Sequence, residues 1–256
     1  MTTNVSTLTI EDATPTRPRL WKGIDVLLMT LGILVAMGLG VAALALGMGL
    51  IGGDGTMRAQ PLGFSVAVIA LQGAVMLLAV WLLGLLRRKY SWADIGLVKT
   101  TAGWVAAAVG LFVLLRVVVT ILAVLMAQLG ITSMQPQAIA PEGFSLPGAA
   151  GMLLFAGVLV PIAEEIFFRG VLYRWLRDKW GVGIGVIISG IVFGAAHLEP
   201  ATAIPAMVLG WVLALTFERS KSLWPSILIH IFNNAFAIGL LYLLLALNVP
   251  IPGVNR

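Results

Sequence analysis

Residues 148–168 read GAAGMLLFAGVLVPIAEEIFF, an apolar run of 21 residues that is long enough to cross a membrane as a helix. Six further apolar segments lie along the chain, at residues 24–51, 64–86, 104–129, 181–197, 204–217 and 224–247. The hydrophobic share of the 256 residues is 60%, the charged share is 11% and the mean hydropathy is +1.03, which excludes a water-soluble globule. The pattern predicts an all-α, polytopic transmembrane helical bundle of seven spans, or of eight if the long first segment is split.

The basic residues indicate how this bundle is oriented. The formal net charge is +5, but the Lys and Arg residues lie in short loops beside apolar segments, which favours a topology signal over nucleic-acid binding. Twelve of the sixteen precede the first segment or follow the second, fourth and sixth: Arg17, Arg19, Lys22, Arg87, Arg88, Lys89, Lys99, Arg174, Arg177, Lys179, Arg219 and Lys221. The opposite loops carry only Arg58 and Arg256. Loops rich in Lys and Arg face the cytoplasm, so we expect a cytoplasmic N-terminus, and the composition suggests a bacterial cytoplasmic membrane.

Composition divides the chain into four regions. Residues 1–23 are polar and rich in Thr and Pro, which predicts a disordered cytoplasmic tail. Residues 24–147 form an N-terminal region of three spans, residues 148–248 a core of four helices, and residues 249–256 a short tail. Within the core, the stretch LEPATAIP at 198–205 is expected to form a turn below the membrane surface. The chain has no Cys, which excludes disulfides, zinc thiolates and cysteine nucleophiles.

A few charged or titratable side chains interrupt the apolar segments. Such groups are expensive inside a bilayer, so each is a candidate functional residue. They are Glu164, Glu165, Arg169, His197, His230 and Arg116. The chain has only two histidines, and both lie in apolar segments, which makes a shared role the stronger interpretation.

The spacing of these residues predicts that three helices converge on one pocket. Trp180 and Gly181 form a natural turn; Glu164 precedes Trp180 by 16 residues and His197 follows Gly181 by 16. An antiparallel hairpin therefore puts both side chains at one depth, about 24 Å from the turn. His230 lies about 13 Å from the next cytoplasmic turn, near Lys221.

Neighbouring residues on the fourth segment have separate expected roles. Glu165 and Arg169 are spaced i,i+4 and can form an ion pair, whereas Glu164 points about 100° away around the helix. Pro161 lacks the N–H that would bond the Gly157 carbonyl, which predicts a kink just before Glu164. Arg116, on the third span, is expected either to pair with Glu165 or to extend along a kinked helix to the interface.

Three motifs in this order resemble those of a known family. Residues 164–169 read EEIFFR, residues 193–197 read FGAAH, and residues 230–234 read HIFNN. They are similar to the EExxxR, FxxxH and HxxxN motifs of the CAAX prenyl protease and bacteriocin-processing family, also called the Abi family, of intramembrane proteases. The resemblance, which is to type II CAAX prenyl endopeptidases, covers residues 148–247.

The resemblance implies a role for each motif residue. Glu164 would be the general base that takes a proton from water, and His197 would position that water. His230 and Asn234 would stabilise the developing oxyanion. The family is often labelled metalloprotease, and Glu164, His197 and His230 resemble a zinc shell with an open position. Because the spacing lacks HExxH, in which one helix turn presets two ligands, we favour metal-independent chemistry with zinc as the alternative.

Three further residues would support this site. Glu165 and Arg169 would hold the fourth helix in register through their ion pair, for which a purely structural role is the alternative. Phe193 lies one turn before His197 on the same face and would pack behind it.

The resemblance implies an intramembrane endopeptidase, a hydrolase whose substrate is a lipid-anchored protein, a peptide or a membrane protein. One alternative is a non-catalytic immunity factor or scaffold of the same family. Another is a transporter or proton relay that uses the same buried Glu and His residues. The transporter is less favoured because the sequence has no internal repeat of the inverted-transporter kind.

Overall fold

The computed structural model describes residues 20–51, 61–251 and 254, so most of the predicted N-terminal tail and much of the predicted C-terminal tail lie outside the described residues. The regular elements of the described part are helices, and the predicted all-α bundle is confirmed. They are α1 (Gly23–Gly47), α2 (Leu62–Leu86), α3 (Ala102–Gln128), the short α4 (Gln135–Ile139), α5 (146–180), α6 (182–195), α7 (Pro200–Ser220) and α8 (Leu223–Ala246).

Gly181 separates α5 from α6. Its φ of 83° lies in the left-handed region, which glycine adopts without the steric cost that a Cβ brings. The backbone doubles back so tightly that a Cβ on Gly185 would lie 3.0 Å from the Arg177 nitrogen. The hairpin predicted at Trp180 and Gly181 is therefore confirmed.

The number of spans follows from this hairpin. If α5 and α6 are taken as the single segment Leu146–Ala195, the described residues contain six helices long and apolar enough to cross a membrane. Divided at Gly181, they give the seven helical segments of the sequence prediction. The first of them, α1, is one unbroken helix of 25 residues, so the eight-span alternative is not observed.

The predicted turn over residues 198–205 is wrong for most of its length. Helix α6 ends at Ala195 and α7 begins at Pro200, which leaves only a four-residue connection. Pro200 is the first residue of α7, a position at which its missing N–H costs nothing and its fixed φ suits helical geometry. A second proline, Pro205, lies inside α7.

Close packing between α6 and α7 holds this second hairpin together. A Cβ on Gly190 would lie 2.1 Å from the Trp211 ring, and one on Gly210 would lie 2.9 Å from the Gly190 Cα. Small residues allow two membrane helices to approach closely. Such packing contributes to helix association in a bilayer, because burial of apolar area from water gives no driving force there. The apolar outer faces of α1 and α3 remain exposed, as in Leu34 and Leu114 at 63% each.

The loops that share the positive charges meet at one end of the bundle. Asp25, fully buried at the start of α1, accepts hydrogen bonds from Arg87 and from Arg88, whose Nη2 lies 2.8 Å from Oδ1. At the same end Arg177 on α5 pairs with Glu218 on α7, with 3.0 Å between Nε and Oε2. Sequence reasoning missed Asp25 as a charged residue inside the first segment, because it lies near its start.

Which membrane face this basic end occupies stays a prediction, and cysteine labelling tests it. In the Cys-free chain we expect Thr132→Cys to react with an impermeant maleimide in intact cells, because residue 132 lies in the loop between α3 and α5. Ala93→Cys, in the basic loop after α2, should react only after the membrane is opened. Both positions are exposed, so the reverse labelling pattern would contradict a cytoplasmic N-terminus.

Candidate active site

A cavity of about 550 Å³ lies inside the bundle. Its lining combines apolar side chains with a small set of polar residues from six helices and from the connections before α4 and α7: Gln72, Arg116, Ser133, Gln135, Glu164, His197, Thr202, His230, Asn233 and Asn234. The structure thus brings Glu164, His197 and His230 to one cavity, as the helix spacing predicts. A mostly apolar cavity with a few convergent polar groups is the usual form of a ligand site.

Glu164 lies at the centre of the polar lining. Glu164 is buried, with the residue 8% exposed. Gln72 on α2 donates a hydrogen bond from Nε2 to Glu164 Oε1 at 3.0 Å. The other oxygen, Oε2, lies 3.6 Å from His230 Nε2 on α8. The Glu164 carboxyl group therefore accepts a hydrogen bond from an amide at one oxygen and faces an imidazole ring with the other.

Glu165 connects three helices. Its Oε1 accepts a hydrogen bond from Arg169 Nη1 at 2.8 Å and lies 2.9 Å from His230 Nδ1. Arg169 also donates from Nη2 to the Gly210 carbonyl on α7 at 3.1 Å. The predicted Glu165–Arg169 pair is present, and both residues are buried in the core at 0% and 1% exposure. Glu165 also orients His230, which the sequence did not indicate.

The ring of His197 is fixed by its own helix. His197 Nδ1 lies 3.0 Å from the carbonyl oxygen of Phe193, which can only accept. Nδ1 therefore carries the hydrogen, and Nε2 is left as the nitrogen that can accept one. Phe193 is 1% exposed, and its ring centroid lies 5.3 Å from that of His197 and 5.5 Å from that of His230. The phenyl ring packs against both imidazoles.

A wide helical turn precedes Glu164 and shapes the wall of the cavity. Residues 155–159 form a π-helical turn, in which the Val160 N–H donates to the Phe155 carbonyl. Pro161 has no N–H to give, and the Ala156 carbonyl accepts a hydrogen bond from Asn234 Nδ2 at 3.3 Å. π-Turns often occur at functional sites. The backbone before Glu164 is therefore not a regular α-helix, and the Ala156 carbonyl tethers α5 to α8. The kink expected at Pro161 stays a prediction.

Arg116 and two asparagines form a polar chain along another wall. Arg116 Nη1 donates to Asn233 Oδ1 at 3.1 Å, and Asn233 Nδ2 donates to Asn234 Oδ1 at 3.2 Å. The guanidinium carbon also lies 5.4 Å from the ring centroid of Phe236. Pairing of Arg116 with Glu165 was one expectation, and it is wrong because Glu165 bonds Arg169 and His230 instead.

Sequence reasoning missed one polar contact of the site, the hydrogen bond from Gln72 to Glu164. Gln72 carries no charge, and the residues singled out inside the second apolar segment would have been charged or titratable ones. An amide in an apolar helix is a weaker signal of the same kind, because its polar atoms also need partners away from water.

The residues suggested for zinc do not form a ligand set in this structure. Among the described residues, no group of three or more His, Asp or Glu side chains is arranged to hold a metal ion. His230 directs Nδ1 to Glu165, and its Nε2 faces Glu164.

The comparisons with known proteins concern the second half of the chain. Residues 146–236 match the model described as type II CAAX prenyl endopeptidase Rce1-like. The resemblance read from the three motifs is confirmed. The matched residues include Glu164, His197, His230 and Asn234, whereas Gln72 and Arg116 lie outside the Rce1-like region.

Two curated relatives are similar over part of their length. A Bacillus subtilis (strain 168) protein named "Putative membrane peptidase YdiL" is 28% identical over 87 residues, which are 34% of this chain and 36% of the relative. An Escherichia coli protein named "Uncharacterized 24.3 kDa protein" is 29% identical over 103 residues, 38% of this chain and 46% of the relative. The chain thus spans less than half the length of the curated relatives it matches. No solved structure gives a significant match. The apolar helices and the Rce1-like match support an integral membrane protein with a protease-like region.

Proposed function

We propose that this protein is an intramembrane endopeptidase that hydrolyses a peptide bond with a water molecule activated by Glu164. The observation that carries the proposal is the cavity in which Glu164 faces His230 at 3.6 Å and which His197 and Asn234 also line. The Rce1-like match over the same residues supports a protease at the level of the family.

Glu164 acts as the general base. Its carboxylate accepts one proton from a water molecule in the cavity while the water oxygen bonds to the substrate carbonyl carbon. The carbonyl π electrons move to oxygen and form a tetrahedral oxyanion. When the oxyanion collapses, the C–N bond breaks and the proton on Glu164 passes to the leaving nitrogen. Gln72 holds the base in place through Oε1, which leaves Oε2 for the proton.

His197 orients the attacking water. Its Nδ1–H is engaged with the Phe193 carbonyl, so Nε2 presents a lone pair. That lone pair accepts one hydrogen of the water while Glu164 accepts the other. The oxygen lone pair that attacks is then directed away from both residues and toward the substrate.

His230 and Asn234 stabilise the oxyanion. Nδ1 of His230 donates to Glu165, and the imidazolium form also carries an N–H on Nε2, the atom that faces the cavity. The amide of Asn234 has two N–H groups, of which one donates to the Ala156 carbonyl and the second is available to the oxyanion. Donors held in place before the reaction do not have to reorganise when negative charge develops.

The mechanism we propose needs no metal, with zinc on Glu164, His197 and His230 as the alternative. The base, the water-orienting group and the oxyanion donors are all side chains of this chain. The substrate we propose is a lipid-anchored protein, a peptide or a membrane protein that reaches the cavity from the bilayer or the cytoplasm. The proposed location is a bacterial cytoplasmic membrane.

Comparative peptidomics of membranes tests this function. Membranes that contain the wild-type protein should yield peptide termini that are absent from membranes with Glu164→Gln, because that variant lacks the base. Equal expression of both proteins is the control. Identical termini in both samples would leave a scaffold, an immunity factor or a transporter as the better function.

A chelator applied to the same membranes distinguishes the two chemistries. We expect the wild-type termini to persist after prolonged treatment with a strong chelator. Loss of these termini, with recovery on adding zinc, would assign the metal-dependent alternative.

A further inference from the structure

Arg116 carries a charge that no described residue neutralises. It lies in the middle of α3, lines the cavity and donates one hydrogen bond, to the neutral amide of Asn233. Its Nε is buried without a hydrogen-bond partner. Within residues 20–51, 61–251 and 254, no carboxylate forms an ion pair with it. Arg169, in contrast, forms an ion pair with Glu165, and Arg88 forms one with Asp25.

An unpaired guanidinium at this depth is unfavourable for the protein alone. Charged side chains inside a bilayer almost always pair with each other or with backbone carbonyls, and the exceptions mark paths or sites for ligands. The Asn233 carbonyl and the Phe236 ring supply partial negative charge, but neither is an anion. Among the surroundings of Arg116 that the structure describes, only the cavity can hold a ligand. An anion that completes an ion pair with Arg116 would therefore bind in the cavity.

We propose that Arg116 binds a carboxylate of the peptide substrate, an inference that rests on the proposed endopeptidase function. The carboxylate is an acidic side chain or the C-terminus, and the two share the chemistry of a planar anion that a guanidinium binds in bidentate fashion. Asn233 holds the guanidinium from the side and connects it to Asn234, the proposed oxyanion donor.

The position of Arg116 sets where the carboxylate lies relative to the cleaved bond. His230 and Asn233 are three residues apart on α8, which is a little less than one helical turn and about 4.5 Å along the axis. An extended peptide advances about 3.3 Å per residue. Arg116 therefore binds an anionic group that lies a few residues from the scissile bond of the substrate, and it acts as a specificity-determining residue.

Matched peptide libraries test the proposal on the full-length protein in lipid nanodiscs. One library carries Asp or Glu at single positions, a second carries Asn or Gln there, and each is made with a free or an amidated C-terminus. We expect wild-type protein to cleave one acidic form over its neutral counterpart by about tenfold or more in kcat/KM. Preference for the free C-terminus or for an acidic side chain identifies the source of the carboxylate.

Two variants of Arg116 separate recognition from structure. Arg116→Gln, which can still donate to Asn233, should bring the acidic-to-neutral ratio close to one, and Arg116→Lys, which keeps the charge but not the paired N–H donors, should retain only part of it. A lower Tm for Arg116→Gln with an unchanged ratio would overturn the proposal in favour of a structural role. Cleavage by the wild type with no preference for either form would also overturn it.

Binding measurements distinguish failure of this inference from failure of the proposed function. If the wild-type protein cleaves no library, the proposed function fails, but acidic peptides should still raise the Tm of wild-type protein more than that of Arg116→Gln. Nanodiscs of phosphatidylglycerol and of phosphatidylcholine provide the lipid control. If phosphatidylglycerol raises the Tm of wild-type protein but not that of Arg116→Gln, the site binds a lipid headgroup, and the peptide proposal is overturned.

Discussion

Glu164→Gln is expected to lower kcat/KM for proteolysis by at least about 10²-fold with little change in Tm. Glutamine has nearly the size of glutamate, and its carbonyl oxygen can still accept the hydrogen bond from Gln72 Nε2. It cannot accept a proton from water at neutral pH. The measurement is single-turnover cleavage of the substrate that the peptidomics identifies, together with thermal unfolding of both proteins in the same detergent.

Glu165→Gln is the matched comparison, because the same substitution is made one residue along the same helix. Glu165 meets the charge of Arg169 at 2.8 Å in a fully buried position. Removing one partner of a buried ion pair costs roughly 3–5 kcal/mol, since the other charge remains unpaired. Glu165→Gln should therefore lose stability, as well as activity through His230. Equal activity loss in both variants, with both as stable as the wild type, would contradict this division of roles.

The approach of Glu164 to His197 and His230 could be predicted from the sequence because two strong signals combine. Charges are so costly inside a membrane that Glu164, His197 and His230 stand out in apolar segments. Glycine marks the reversal at Gly181, and the constant rise of a helix then fixes the depth of each side chain on either side of it. Neither step requires knowledge of how the helices pack.

The contacts that position these residues could not be predicted in the same way. The partner of Glu165 on α8 depends on how far each helix is rotated about its axis, and a tertiary contact of that kind leaves no periodic trace in the sequence. Pairing with Glu165 was one of two expectations for Arg116, but Arg169 lies one turn along the same helix as Glu165 and forms the ion pair with it. The start of α7 at Pro200 was misassigned because proline is compatible with both a turn and the first position of a helix.

Asn234→Ala is expected to reduce turnover by roughly 10²- to 10³-fold while the substrate still binds, as removal of one oxyanion donor does. The effect should fall on kcat, because the oxyanion exists only in the transition state and the intermediate, and KM should change little. The measurement is steady-state kinetics on the identified substrate, with thermal unfolding as the structural readout.

Asn234 also has a structural contact, and the two roles give different results. Its Nδ2 donates to the Ala156 carbonyl at 3.3 Å, where the π-turn and Pro161 leave the backbone irregular. A neutral hydrogen bond of this kind contributes about 1 kcal/mol, so alanine at this position should lower the Tm only modestly. If Asn234 serves only as this tether, the variant would lose stability and keep its kcat.

Asn234→Asp makes the distinction sharper. Aspartate can still accept the hydrogen bond from Asn233 Nδ2, but its carboxylate cannot donate to Ala156 or to an oxyanion. It also places a negative charge where negative charge develops, so its kcat should fall at least as far as that of Asn234→Ala. A kcat for Asn234→Asp close to that of the wild type would remove Asn234 from the oxyanion site and leave His230 as its donor.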